Sequence, residues 1–185
     1  PLLSSGLSLF GLRTQRIVGR ESERDFLWQR LQEVSTAGRA GAVLLRGPAG
    51  YGKHRLAQWL METAHEAGAA TILEATHTEI PGPAHGLPRM IATRLQTVGL
   101  SGPEVIGRTE AILRKQGVED AYEWEHLGRM LLSTSGAVTS RMQVPVGSTS
   151  ERLALVARII ERETVHRPVI VHIASAQWGL EAISL

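Results

Sequence analysis

Three glycines and the lysine that follows the last of them, Gly47, Gly50, Gly52 and Lys53, have the residue types and spacing that most directly imply chemistry. They lie in the run Gly47-Pro48-Ala49-Gly50-Tyr51-Gly52-Lys53-His54-Arg55. Glycine tolerates positive φ, so successive backbone N–H groups can turn toward one point and make a nest for an anion. The spacing matches G-x-x-x-x-G-K, a phosphate-binding loop. A helix beginning at Lys53 adds its positive end, and the lysine ammonium reaches the β and γ phosphates as a point charge. The next position normally offers a hydroxyl to magnesium, but His54 stands there. Mg²⁺ takes hard oxygen ligands, which makes imidazole a poor substitute. The expected ligand is therefore a nucleotide, bound weakly and largely without magnesium; Arg55 either adds a phosphate contact or is an exposed helix arginine. The plainer alternative is a glycine-rich turn between a strand and a helix.

The elements that must position this loop can be read from periodicity. Ala42-Val43-Leu44-Leu45 reads as a buried parallel strand feeding the loop, and Leu56, Leu60 and Ala64 as the apolar stripe of the following helix, 53–67, with Gly68 past its end. Residues 1–14 read as a linker and 15–185 as one domain. A helix is expected over 22–34, with Phe26, Leu27, Leu31 and Val34 as its apolar face. Strands are expected at 70–75 and 169–173, and a loop at 76–86 broken by Pro81-Gly82-Pro83. Helices are expected at 87–98, 103–116, 119–132 and 150–164, with 136–149 polar and turn-rich. Apolar strands interleaved with helices predict an α/β fold, a parallel sheet covered on both faces. Three strands make a thin sheet, so the chain reads as part of a longer polypeptide.

Composition narrows the function classes. The absence of cysteine excludes disulfides and thiolate metal sites. Net charge is +2, and 18 arginines against two lysines are spread along the chain. That distribution predicts a solvated surface rather than a nucleic-acid stripe. No apolar run reaches the ~18 residues of a membrane span, so a cytoplasmic protein without a membrane partner is expected. The histidines show no zinc-enzyme spacing. His65, His77, His85, His126 and His166 read as surface or loop residues, and His172 as a strand residue with a backbone partner. Trp59, Trp124 and Trp178 read as packing residues.

Taken with Ile17-Val18-Gly19-Arg20-Glu21 upstream and Gln177-Trp178-Gly179 downstream, the loop carries a likeness to a known family. From about Leu12 to Leu185 the chain resembles the AAA-type ATPase modules of the STAND class, signal-transduction ATPases with many domains. The likeness is to those of large bacterial regulators, where the module stands beside a serine/threonine kinase or DNA-binding part and helical repeats. It implies a P-loop NTPase-like three-layer αβα sandwich, present here as its N-terminal portion, and it implies adenine contacts at Val18 and Gly19. It also implies other domains of the same polypeptide as partners. Relatives end the third-motif strand in two adjacent acids; here those positions are Ala174 and Ser175. The resemblance gives one acid the magnesium shell and the other the attacking water. Alanine can do neither, and serine is not basic enough.

Phosphoryl transfer is catalysed mainly by positioning and charge stabilisation. Losing one such contact costs ~3–4 kcal/mol, roughly a hundred- to a thousandfold in rate. The implied function is a nucleotide-binding module of a larger signalling protein with hydrolysis near background, with no catalytic residue and no metal site. One alternative is a pseudo-ATPase scaffold that binds no nucleotide and serves protein interaction. Another is an active ATPase using other acids. A nucleic-acid role has only the arginine count behind it.

Overall fold

A computed structural model describes residues 17–80, 82–134, 147–179, 182–183 and 185. The linker expected at 1–14 and most of the turn-rich stretch at 136–149 lie outside these residues. The chain divides into an amino-terminal unit, Pro1–Thr63, and a carboxyl-terminal unit, Ala64–Leu185.

The described part of the amino-terminal unit holds helix α1 (Glu21–Ala37), the glycine-rich loop and most of helix α2 (Lys53–Glu66). Glu21 and Glu23 stand in the first turn of α1, where the helix dipole favours negative charge. The helix stops at Gly38, whose left-handed backbone returns its N–H to the Val34 carbonyl at 3.0 Å. Leu27 and Leu31, one turn apart, are its buried residues, whereas Phe26 is 52% exposed. Phe26 therefore leaves the expected apolar face, because one residue is a rotation of about 100° around the axis. Of the stripe expected in α2, Leu56 and Ala64 are buried and Leu60 is half-buried, while Ala57 and Met61 are buried as well.

The strand expected at 42–45 is absent. Those residues join no sheet ladder among the described residues, and Val43 and Leu44 are exposed. Strand geometry is held by a partner's backbone hydrogen bonds, which an apolar run cannot supply for itself.

The carboxyl-terminal unit contains strand β1 (Thr71–Thr76), helices α3 (Gly86–Arg94), α4 (Gly102–Lys115), α5 (Ala121–Leu132) and α6 (Thr149–Thr164), and strand β2 (Val169–Ala174). A single 3-10 turn, Ala176–Trp178, follows β2. The two strands pair in parallel, with Leu73 opposite Val171 and Ala75 opposite Ile173. These four side chains face a core with Ile91 of α3, Val105 and Leu113 of α4, Leu127 and Leu131 of α5, and Val156 and Ile159 of α6. The alternate residues, Ile72, Glu74, Ile170 and His172, occupy the other face by the period of two. There the Glu74 carboxylate meets His172 Nδ1 at 3.1 Å, a side-chain partner for the strand histidine. The fold is thus α/β with six helices and a small parallel two-stranded sheet among the described residues.

Capping chemistry sets the helix starts. Glu104 accepts hydrogen bonds from the Ser101 hydroxyl (2.6 Å) and backbone N–H (2.8 Å) at the start of α4. Glu151 accepts from the Ser148 backbone N–H at 2.6 Å, and Ser148 Oγ accepts from the Glu151 N–H at 3.2 Å. The serine side-chain bond, then the backbone bond, holds the Glu104 carboxyl below its ordinary range; at Glu151 the backbone bond leads. A carboxylate lowered on folding stabilises the native state above its unfolded pKa, and that support is lost as pH falls through the folded value. Acid titration followed by circular dichroism should therefore show stability declining below the ordinary carboxylate range. In a Glu104→Gln/Glu151→Gln variant the decline should be shallower.

Candidate functional site

The glycine-rich loop has the backbone that its sequence demands. Gly50 and Gly52 sit at φ 79° and 76°, and Gly47 at φ 154°. A side chain at Gly50 or Gly52 would be strained. The chain passes from Gly52 directly into α2 at Lys53, and the Leu56 N–H returns to the Gly52 carbonyl at 2.9 Å. The first turn of α2 thus opens on the loop, with no acidic residue in it.

Lys53 does not extend into solvent. Its ammonium donates to the carbonyls of Gly47 and Pro48, both at 2.7 Å, so the side chain folds back over the loop. The charge therefore stands within the loop that Gly47, Pro48, Ala49, Gly50, Tyr51 and Gly52 form. His54 is exposed on the first turn of α2. Arg55 Nη1 lies 3.2 Å from Glu62 Oε2, so its guanidinium is engaged by a carboxylate.

The upstream motif meets the loop. Arg20, held in the left-handed region at φ 62°, donates from Nη2 to the Tyr51 carbonyl at 3.1 Å and from Nη1 to Glu23 at 2.7 Å. The Arg20–Glu23 bond, with the Ser22 hydroxyl second, holds the Glu23 carboxyl down at about 2. Arg20 is thereby a strut between the start of α1 and the loop. Val18, beside it, is 91% exposed, and Gly19 is at φ 73°. A second tie joins the two helices of this unit, as the Arg24 guanidinium lies 4.6 Å from the Trp59 ring centroid. Neither Arg20 as a strut nor Trp59 as a cation acceptor was legible in the sequence, because both roles need the partner's position.

In the carboxyl-terminal unit, β2 ends at Ala174, and Ser175 turns the chain at φ 55° into the 3-10 turn that carries Gln177 and Trp178. The third motif thus follows the carboxyl end of a parallel strand, as expected. Trp178 is 49% exposed, against its expected packing role, whereas Trp124 is buried beneath the Arg114 guanidinium. His77, expected as a surface or loop residue, is only 7% exposed, and its backbone N–H bonds the Ala174 carbonyl at 3.1 Å. Gly179 is buried against its ring.

Two shallow depressions on the helical surface, one lined by Leu87, Pro88 and Met130 among others and one by Tyr122, His126 and Arg158 among others, include no residue of the three motifs. Among the described residues no three His, Asp or Glu side chains gather as metal ligands. No helix of the described residues is long and apolar enough to cross a membrane. No protein-family model, no curated protein and no solved structure matches the chain.

Proposed function

We propose that the chain is a nucleotide-binding module whose loop holds the phosphates of ATP or ADP and which hydrolyses ATP at most at background rate. The observation that carries this reading is the loop itself: positive-φ Gly50 and Gly52 run straight into the amino terminus of α2, with the Lys53 ammonium inside the turn. Loop N–H groups and the helix end receive the phosphate oxygens. Lys53 exchanges the Gly47 and Pro48 carbonyls for them. Val18 and Gly19 offer an open apolar surface to a planar base, and Arg20 holds that surface to the loop.

Magnesium does not fit the residues present. His54 brings a nitrogen where a hard oxygen is needed, and no carboxylate cluster stands among the described residues. Ala174 and Ser175 bring no acid to orient water. In this reading the module is of the P-loop NTPase, STAND-like kind. It works inside a larger bacterial regulator in the cytoplasm, with neighbouring domains of the same polypeptide as its partners.

Isothermal titration with ATP and ADP tests it. Binding should be weak and change little when magnesium is chelated. Lys53→Ala should remove a charge-assisted bond of ~1.5–3 kcal/mol, weakening Kd on the order of ten- to a hundredfold. Affinity that vanishes on chelation, or steady phosphate release lost in Lys53→Ala, would overturn the hydrolysis-deficient reading.

A second reading, an interaction scaffold that binds no nucleotide, is favoured by the same lysine. With its ammonium satisfied by two loop carbonyls, the loop is stable as a plain turn. No heat on titration with either nucleotide would select it.

A further inference from the structure

We propose that Arg20 is the positioning residue of the phosphate loop: by gripping the Tyr51 carbonyl it turns the Gly52 N–H toward the bound anion. The role rests on the nucleotide reading of that loop. Gly50 and Gly52 flank Tyr51, and glycine populates both signs of φ, so the peptide plane between residues 51 and 52 turns over easily unless something holds it. Every described peptide bond is trans. In a trans peptide the carbonyl and the N–H lie in one plane and point opposite ways. Arg20 Nη2, 3.1 Å from the Tyr51 carbonyl, therefore makes the Gly52 N–H point away from the guanidinium. That N–H meets no acceptor among the described residues, which leaves it as a donor for a ligand.

Fold stability does not account for Arg20. Its φ of 62° is left-handed, a conformation that strains a residue with a side chain and that glycine adopts freely. Its bond to Glu23 joins side chains that are 46% and 39% exposed, and pairs in water contribute little. Glycine at position 20 would serve the turn better. Strain kept at a residue that is bonded to a candidate site points to function. One nitrogen of the guanidinium holds the loop, and the other holds Glu23, which also accepts from the Ser22 hydroxyl at 2.8 Å. Glu23 thereby keeps the guanidinium from swinging into solvent.

The strut acts from a fixed base. Arg24 stands four residues on, along the same face of α1, and its guanidinium lies 4.6 Å from the Trp59 ring of α2. Tyr51 and Trp59 lie on either side of Lys53 in the chain, so α1 braces both the loop and the helix that follows it. A donor set before the ligand arrives spares binding the cost of ordering it.

Arg20→Gly tests this, because glycine keeps the left-handed turn and removes only the strut. In isothermal titration of the full chain with ADP, Kd should rise about tenfold, while the melting temperature stays within about 2 °C of the parent. On addition of ADP the Gly52 amide resonance should move in the parent and much less in Arg20→Gly. Arg20→Lys should recover part of the affinity, since its ammonium still donates to one acceptor. Glu23→Gln, which loosens the guanidinium and leaves Arg20 in place, should raise Kd a few-fold, on the order of the loss of one anchor. Arg30→Gln removes an equal charge from an exposed ion pair elsewhere on α1 and should leave Kd unchanged. If Arg20→Gly binds ADP like the parent, the positioning role is overturned and the nucleotide reading stands. An equal loss in Arg30→Gln would also overturn it, by making the effect one of net charge. A parent chain that binds no ADP would overturn both.

Discussion

Replacing Arg162 by methionine should lower the stability of the carboxyl-terminal unit by about 3–5 kcal/mol, because it strands a buried carboxylate. Glu123 lies in the first turn of α5, and its side chain is only 6% exposed. Arg162, in the last turn of α6, grips it through both nitrogens, Nη1 to Oε1 at 2.5 Å and Nη2 to Oε2 at 2.9 Å. Arg158, one turn earlier on α6, stands off at 3.7 Å and is half exposed. It cannot replace a two-pronged contact. With Arg162 gone, the Glu123 carboxylate stays buried without its two-pronged partner. Urea unfolding should show the loss, and thermal unfolding a fall in Tm on the order of 10 °C. The double variant Glu123→Met/Arg162→Met should recover most of it, since two apolar chains of similar length replace the pair. A single-variant loss below about 1 kcal/mol would mean that water reaches the pair and screens it.

Gly179→Ala is expected to be the next most damaging change, costing about 1–3 kcal/mol or more. A methyl group there would fall on the imidazole of His77, 2.5 Å from Nε2 and nearer still to two ring carbons. The ring has little room to retreat, because the His77 backbone is bonded to the Ala174 carbonyl and its other side lies near Gly86. This gives the glycine of the Gln177-Trp178-Gly179 motif a structural task. A His77→Ala/Gly179→Ala double variant should regain part of the loss, because removing the ring makes room for the methyl group. If Gly179→Ala melts with the parent chain, the ring and the glycine are not in contact in solution.

These two sites show what composition and periodicity could not reach. Glu123 is an ordinary acid near a helix start when read in sequence, and Arg162 an ordinary base near a helix end. Only the packing of α5 on α6 brings residues 39 positions apart together. His77 looks like a loop residue because it follows a strand and precedes Pro81-Gly82-Pro83. Its burial comes from Gly179 and α3, which reach it from elsewhere in the chain.

By itself, the sequence determined what depends on neighbours along the chain. The glycine-rich loop, the start of α2 at Lys53, the six helices and the apolar segments that become β1 and β2 were all readable from residue type and spacing. So was the lack of a hydroxyl at position 54 and of acids at 174 and 175. Such features are local: a positive φ needs a glycine, a capping box needs serine and glutamate three apart, and an apolar stripe repeats with the turn of the helix. Tertiary structure alone decided what depends on distant partners. It left residues 42–45 without a ladder among the described residues and turned Phe26 and Trp178 outward, because pairing and burial require a surface that the segment does not contain. It folded Lys53 onto Gly47 and Pro48, clamped Arg20 to Tyr51, and buried His77 with its nitrogens unmatched. Hydrogen bonds act over about 3 Å, and which groups come within that distance is settled only when the chain has packed.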